Sequence, residues 1–159
     1  MEIKILCVGK LKERYLREAA DEYIKRLSPY ARLTVVEAAD EKTPDSPTER
    51  QSELIKDTEG ARILKSVRDD DCVIALAIDG KEYSSEAFSE LIEKKAAEGK
   101  GRITFVIGGS LGLSEAVLKR ADLKLSFSAF TFPHQLMRVI LLEQIYRAFR
   151  IMRGEPYHK

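Results

Sequence analysis

The sequence predicts a single α/β domain over residues 1–159, in which a mainly parallel sheet is flanked by helices. Short apolar runs alternate along the chain with amphipathic stretches, in the order β-α repeated five times. Runs such as VIALAI and ITFVI lack the alternation of a half-buried strand, as expected for strands covered on both faces. A chain of this length also buries enough surface, roughly 70%, to fold without disulfides or metal ions.

Five strands are predicted from short runs rich in Val, Ile and Leu. They cover residues 3–8, 33–37, 72–78, 103–107 and 123–127. Cys7 and Cys72 lie inside two of these runs, so we expect buried, unreactive core cysteines rather than a disulfide or a metal pair. Residues 40–47 (DEKTPDSP) have the composition of an irregular loop.

Helical periodicity fills the intervals between the strands. The expected inward positions are Tyr15, Ala19, Tyr23 and Leu27 in the first helix, Leu54, Ala61 and Leu64 in the second, and Phe88, Leu91 and Ile92 in the third. Thr48 is the expected start of the second helix, and Ser84 or Ser85 caps the third, with Gly99 beyond its end. Ser114 followed by Glu115 indicates the cap and first-turn acid of a short fourth helix.

The last predicted helix has an unusual surface. Pro133 fits its first position, where a missing N–H is tolerated. From residue 136 to 152, 12 of 17 residues are apolar and go most of the way around the helix. Such a helix must be covered on several sides, and a domain this small has few places to cover it. We therefore expect part of this surface to pack on a second copy in a homodimer.

Charge and hydropathy restrict the function classes. The net charge is +1, but residues 133–159 carry 5 basic and 2 acidic side chains, so this end can meet phosphate. Chance charges on a solvated helix face explain that imbalance equally well. No apolar stretch approaches a membrane span, and the start MEIKILCVGK is too short for a signal peptide, so a cytoplasmic protein without membrane contact is expected. No metal site is expected, because there are two histidines and no Cys/His cluster.

Residues 108–112 (GGSLG) match G-x-S-x-G, the nucleophile elbow of serine hydrolases, and the order Ser110, Asp122, His134 matches Ser-Asp-His. An elbow, however, needs a helix directly after the serine, and the next helix is expected only after Ser114. The run also lacks the residues of Walker and dinucleotide loops. What remains is a glycine turn at the carboxyl end of a buried strand, where open α/β sheets bind ligands. A tight turn that needs positive φ is the structural alternative.

The segment 126–132 (SFSAFTF) supports the ligand interpretation. It is uncharged, small and aromatic, and it is rich in backbone donors and hydroxyls. Such a loop can hold an adenine ring by backbone hydrogen bonds between apolar walls. A buried connection that packs three phenylalanines is the alternative.

Four segments together resemble one protein family. They are GGSLGL, LSFSAFTFPHQLMRVILLEQIYRAFRIMRGEPYHK, KILCVGKLKERYLREAADEYIKRL and TEGARIL. They are similar to the bacterial ribosomal RNA large subunit methyltransferase H family, which belongs to the SPOUT class of S-adenosylmethionine-dependent methyltransferases. The resemblance spans essentially the whole chain. It implies a SPOUT-type α/β domain with a C-terminal trefoil knot, an exception to the rule against knots, and a homodimer with cofactor sites near the subunit interface.

The resemblance also implies an activity and a cofactor site. The reaction is methylation of N3 of a pseudouridine in 23S rRNA within the assembled ribosome. The implied S-adenosylmethionine contacts are Leu76, Gly108, Phe127, Ser128, Ala129, Phe130, Thr131 and Phe132. All of them lie at or beyond the carboxyl ends of predicted strands, so the two lines of reasoning agree.

Four C-terminal residues are the catalytic candidates. Tyr157 and His158 are expected to order over the substrate, in their own or the partner's site, and to help to remove the N3 proton. Glu143 and Arg147 share one face of the last helix. The structural alternatives are a frayed terminus for the tail and a helix-stabilising ion pair for Glu143 and Arg147. Two other functions stay open: a serine hydrolase that uses Ser110, and a ribosome-associated binding protein without catalysis.

Overall fold

A computed structural model describes residues 1–99 and 101–159, which form five strands and five helices in strict alternation. The elements are β1 (Glu2–Val8), α1 (Arg14–Leu27), β2 (Arg32–Ala38), α2 (Glu49–Leu64), β3 (Cys72–Glu82), α3 (Ser85–Ala97), β4 (Arg102–Ile107), α4 (Glu115–Arg120), β5 (Leu123–Ser126) and α5 (His134–Met152). The strands form one sheet in the order β2-β1-β4-β3-β5, and every neighbouring pair is parallel. The predicted α/β class and parallel sheet are confirmed.

The sheet separates two layers of helices. On one face α1 and α3 each pack on α5, and on the other α2 packs on α4. The interior strand β1 contributes to both cores, because Ile3, Ile5 and Cys7 belong to the larger apolar cluster and Leu6 and Val8 to the smaller one. Strands covered in this way have no solvent-facing side, which explains their continuous apolar runs.

The buried faces of α1 and α2 differ from the sequence prediction. Tyr15 is 67% exposed and Leu54 is 66% exposed. The buried residues are Leu16, Ala20 and Leu27 in α1, of which Leu27 agrees with the prediction, and Glu59, Gly60 and Ile63 in α2. In α2 the reason is close approach to α4: a Cβ on Gly60 would lie 2.2 Å from the Ser114 hydroxyl. A helix face built on a glycine and a carboxylate carries no apolar periodicity.

Helix boundaries agree well with the predicted caps. Thr48 caps α2 through a reciprocal pair of hydrogen bonds with Gln51, and Ser84 caps α3. Ser114 caps α4 by accepting the Val117 N–H. Pro133 is the N-cap of α5 rather than its first helical residue, so the helix begins at His134.

Two strands end elsewhere than predicted. β5 ends at Ser126, so Phe127 belongs to the loop that follows it. β3 continues to Glu82, past the predicted end at 78, because its pairing with β5 shifts register between Leu76 and Lys81. Gly80 makes the irregularity possible, since a Cβ there would lie 2.7 Å from the backbone of β5. The trefoil knot implied by the family resemblance stays a prediction.

A cleft at the carboxyl edge of the sheet and a polar cluster on the last helix

A cleft of about 530 Å³ opens where the carboxyl ends of β3, β4 and β5 meet. Its walls are residues 76–78 of β3, the glycine turn after β4, the loop after β5, and Met137 of α5. Adjacent parallel strands place their carboxyl ends along one edge of a sheet, which is where open α/β folds bind ligands. The position agrees with the site expected from the sequence.

The structure brings most of the predicted cofactor residues to this cleft. Those that line it are Leu76, Gly108, Phe127, Ser128, Phe130, Thr131 and Phe132. Ala129 is exposed and is not among the lining residues. Phe130 is 79% exposed. The roles of these residues remain predictions, and their common position is what the structure adds.

The loop after β5 offers backbone donors to a ligand. Its shape is fixed by two short-range hydrogen bonds: the Phe130 N–H donates to the Ser128 hydroxyl (3.0 Å), and the Ser126 hydroxyl donates to the Ser128 carbonyl (3.1 Å). Among the described residues, no acceptor is found for the N–H groups of Ala129, Thr131 and Phe132. Uncharged apolar walls with unused backbone N–H groups fit a flat heterocycle such as adenine.

The glycine turn at 108–112 is closed by its own backbone. The Gly112 N–H donates to the Gly109 carbonyl at 3.1 Å, and Gly112 has a φ of +92°. A Cβ on Gly108 would lie 2.8 Å from the Gly112 carbonyl. A side chain at position 108 would therefore meet the other side of the turn. Positive φ is needed at Gly112 rather than at Gly108 or Gly109.

The residues of the hypothetical hydrolase triad are not assembled. The Ser110 hydroxyl lies 3.3 Å from the Thr43 hydroxyl, its one hydrogen-bond partner among the described residues. Asp122 precedes β5, at the opposite edge of the sheet, and its carboxylate accepts the Val73 N–H at 2.7 Å. An acid at the amino edge cannot orient a base at the carboxyl edge. The order Ser110, Asp122, His134 thus has no catalytic geometry.

The start of α5 is anchored beneath the cleft by a buried arginine. Arg138 is 4% exposed, and it donates to the Gly9 carbonyl (3.0 Å) and to a Glu37 carboxylate oxygen (3.3 Å). These contacts hold the helix against the carboxyl ends of β1 and β2. His134 lies one turn earlier and lines the cleft. Burial, with a smaller effect from Arg138, lowers the pKa of His134 and favours its neutral form.

The four catalytic candidates form one hydrogen-bonded cluster. Arg147 donates to Glu143 Oε1 through Nε (3.1 Å) and a terminal nitrogen (2.6 Å), and the Tyr157 hydroxyl donates to the same oxygen (3.0 Å). Arg147 also lies 3.3 Å from His158 Nδ1 and 4.7 Å from the Tyr157 ring centroid. None of the four is among the cleft-lining residues of its own chain.

Protonation in this cluster follows from its donors. Arginine can only donate, so His158 Nδ1 accepts from Arg147, and the Nε2–H donates to Glu86 at 2.7 Å. Hydrogen bonds within the first turn of α3 and with His158 lower the pKa of Glu86 to about 2. Burial, followed by hydrogen bonding, raises the pKa of Tyr157 well above its usual range, so its hydroxyl remains a donor at neutral pH.

The C-terminal tail is docked on the protein rather than frayed. The Tyr157 ring meets the Tyr146 ring edge-to-face with 4.9 Å between centroids, and it packs on the larger apolar cluster. Glu155 accepts a hydrogen bond from the Tyr30 hydroxyl and forms an ion pair with Arg150. The frayed terminus given as the alternative is therefore wrong.

Some residues at these sites were missed from the sequence. Met137 and Ile78 also line the cleft. Their positions, near the start of the last helix and at the predicted end of the third strand, could have indicated this. Glu86 had no such signal, because its contact with His158 joins positions 72 residues apart. Within residues 1–99 and 101–159, no group of three or more His, Cys, Asp or Glu side chains could hold a metal ion. No helix in that part of the chain is long and apolar enough to cross a bilayer.

Comparison with known proteins places this geometry in a family. A family model described as a predicted SPOUT methyltransferase matches residues 1–158. The chain is 60% identical to "Ribosomal RNA large subunit methyltransferase H" of Listeria monocytogenes serovar 1/2a over 159 residues, covering 100% of both chains. The chain belongs to this family of SPOUT methyltransferases.

Other relatives agree with that membership. A protein of the same name from Bacillus pumilus is 58% identical over 159 residues and is also covered completely. Among solved structures, a Legionella pneumophila protein with SAM bound has a TM-score of 0.51 at 9% identity. That alignment covers 93% of this chain and 66% of the other, and at this identity it supports the fold alone. The family named from the sequence is confirmed.

Proposed function

We propose that this family member is an S-adenosylmethionine-dependent methyltransferase of large-subunit rRNA, and that it methylates N3 of a pseudouridine in 23S rRNA within the assembled ribosome. The observation that carries the proposal is full-length identity of 58–60% to relatives named for large-subunit rRNA methylation. The cleft at the carboxyl edge of the sheet supplies a site of suitable size and chemistry. Because the proposed substrate is the assembled ribosome, we expect the enzyme to act in the cytoplasm.

The cleft residues fit the proposed cofactor. Leu76 and Phe132 supply apolar walls, and the loop 127–132 supplies unused N–H groups for the edge of an adenine. When bound, S-adenosylmethionine carries a methyl group that its sulfonium already activates, so the chain must mainly align that methyl with the nucleophile. Ala129 contributes through its backbone, since its side chain is exposed.

The polar cluster is suited to placing the target base and its proton. The N3 imide must lose a proton, and Arg147 offers a positive charge that stabilises the developing anion. Both nitrogens of His158 are already engaged, by Arg147 and Glu86. His158 can therefore accept the substrate proton at Nδ1 only after Arg147 turns toward the nucleotide. Tyr157 acts as a donor that fixes Glu143, because its raised pKa excludes a phenolate at neutral pH.

A homodimer brings this cluster to a cleft. Leu136, Ile140, Glu143 and Arg147 lie along one stripe of α5, at spacings of three and four residues. Leu136 is 38% exposed, and Ile78 and Phe130 near the cleft are also exposed. Packing two copies along this stripe would cover these apolar side chains and carry the tail of one copy toward the cleft of the other. The separation of cluster and cleft within one chain favours this arrangement.

Methyl transfer to ribosomes tests the proposal directly. Ribosomes that lack the modification are incubated with the protein and tritiated S-adenosylmethionine, in parallel with naked 23S rRNA. We expect incorporation into 23S rRNA of ribosomes and much less into naked rRNA. Mapping of the product by digestion and mass spectrometry should find the methyl on a pseudouridine. Ribosome binding without incorporation would favour a non-catalytic binding protein.

A further inference from the structure

A second cavity of about 520 Å³ adjoins the cleft. The two share Gly109, Ser110 and His134, so the glycine turn forms part of both. The wall of the first is largely apolar, whereas the second is lined by polar and charged side chains. Its remaining lining residues are Lys12, Asp40, Glu41, Lys42, Thr43, Glu59 and Gln135.

Glu59 is the most unusual member of this cavity. It is a charged residue on the buried face of α2, and it is only 4% exposed. Its Oε2 accepts the Glu41 N–H at 3.0 Å, and within the described residues neither oxygen has an ion-pair partner within 4.0 Å. Its Oε1 would lie 3.0 Å from a Cβ on Gly109, so the carboxylate faces the glycine turn. A buried carboxylate without a cation is costly unless a ligand supplies one.

The charges around Glu59 favour a cationic guest. Asp40 and Glu41 add two more carboxylates, and Arg62 is held outside the lining by its ion pair with Glu41. Burial, reinforced by the charges of Asp40 and Glu41, raises the pKa of Glu59, although the Glu41 N–H and the more distant charge of Arg62 oppose this shift. Lys12 and Lys42 supply positive charge elsewhere on the wall. A cavity with both signs and an excess of carboxylates suits an α-amino acid better than a nucleotide phosphate.

We infer that this polar cavity receives the amino-acid end of S-adenosylmethionine, with Glu59 as the acceptor for its α-ammonium group and Lys12 and Lys42 beside its α-carboxylate. The inference rests on the proposed function, because it presupposes that the adenosine end occupies the adjoining cleft. It also gives Gly109 a role, since the absence of a side chain there lets Glu59 reach the turn. Charge-assisted hydrogen bonds of this kind are roughly twice as strong as neutral ones.

Two adenosine ligands isolate this subsite. S-adenosylhomocysteine and 5′-methylthioadenosine are both uncharged at sulfur, but only the first carries the amino-acid end. Calorimetry measures both Kd values for the parent, for Glu59→Gln, and for Glu53→Gln as a matched control on the exposed side of α2. We expect Glu59→Gln to weaken S-adenosylhomocysteine about tenfold, to leave 5′-methylthioadenosine unchanged, and to leave thermal unfolding without ligand unchanged or raised. Glu53→Gln should bind both ligands as the parent does.

Each alternative outcome has its own signature. Equal weakening of both ligands, or of neither, by Glu59→Gln would overturn the subsite. Normal binding of both ligands with a raised KM for ribosomes would assign the cavity to the target nucleotide instead. Failure of the parent to bind either ligand would refute the proposed function rather than the subsite alone. If Glu59→Gln does not fold, the exposed pair Lys12→Gln/Lys42→Gln gives the same test, because it should weaken S-adenosylhomocysteine selectively.

Discussion

A methyl group added at Gly108 tests how tightly the glycine turn is built. In Gly108→Ala the new Cβ would lie 2.8 Å from the Gly112 carbonyl, whereas ordinary contacts begin at 3.4 Å, so the turn must open by about 0.6 Å. Overpacking of this kind costs about 1–3 kcal/mol. For a chain of this size each kcal/mol lowers Tm by about 2–4 °C. Because the same turn lines the cleft, S-adenosylmethionine affinity should fall as well.

Calorimetry and thermal unfolding of the same samples measure both effects. Gly101→Ala is the matched control, because nothing lies within 4 Å of a Cβ at that position. Removing a glycine where space is free leaves stability unchanged or raises it by about 0.4–1 kcal/mol. If Gly108→Ala keeps the Tm and the affinity of the parent, the turn accommodates a methyl group without strain and does not form part of the cofactor site.

Three further predictions concern the C-terminal tail, the last helix, and Asp71, which is 2% exposed and forms ion pairs with Lys4 and Arg102 directly before β3. Deletion of 154–159 should lower methyl transfer to ribosomes at least tenfold and, since Tyr157 packs on Tyr146, lower the free energy of unfolding by about 1–2 kcal/mol; full activity would return the tail to a structural role. Burial raises the pKa of Asp71, but hydrogen bonds and nearby cations outweigh burial, so the pKa lies below the usual 3.8. The stability that the ionised carboxylate contributes is therefore present at neutral pH and is lost as the pH falls below 3.8. Asp71→Asn should therefore lower the free energy of unfolding by about 3–5 kcal/mol at pH 7. Urea unfolding at a series of pH values should also show a smaller loss of stability at acid pH than in the parent, whereas an unchanged loss would exclude Asp71 as its source. Leu136→Glu should yield monomer or aggregate in sedimentation at micromolar concentration, without methyl transfer; an active monomer would contradict the dimer.

The sequence was most informative where the backbone alone decides the structure. Strand order along the chain, the caps at Thr48 and Ser114, and the position of the cleft follow from local patterns that act over a few residues. The buried face of α2 could not be predicted, because it depends on how closely Gly60 approaches α4. The docking of Tyr157 on α5 was equally hidden, since a polar hexapeptide with Gly and Pro has the composition of a free end.

The order of strands in the sheet has a consequence for how the chain acquires its structure. β1 lies between β2, which follows closely, and β4, which comes about a hundred residues later. Its neighbour α1 is covered by α5, the last helix of the chain. Pairings between residues this distant in sequence slow folding, because the chain loses the entropy of loop closure before the stabilising contacts form. A chain interrupted before residue 134 would leave α1 and α3 uncovered and without a completed cleft, so partial products should aggregate rather than bind cofactor.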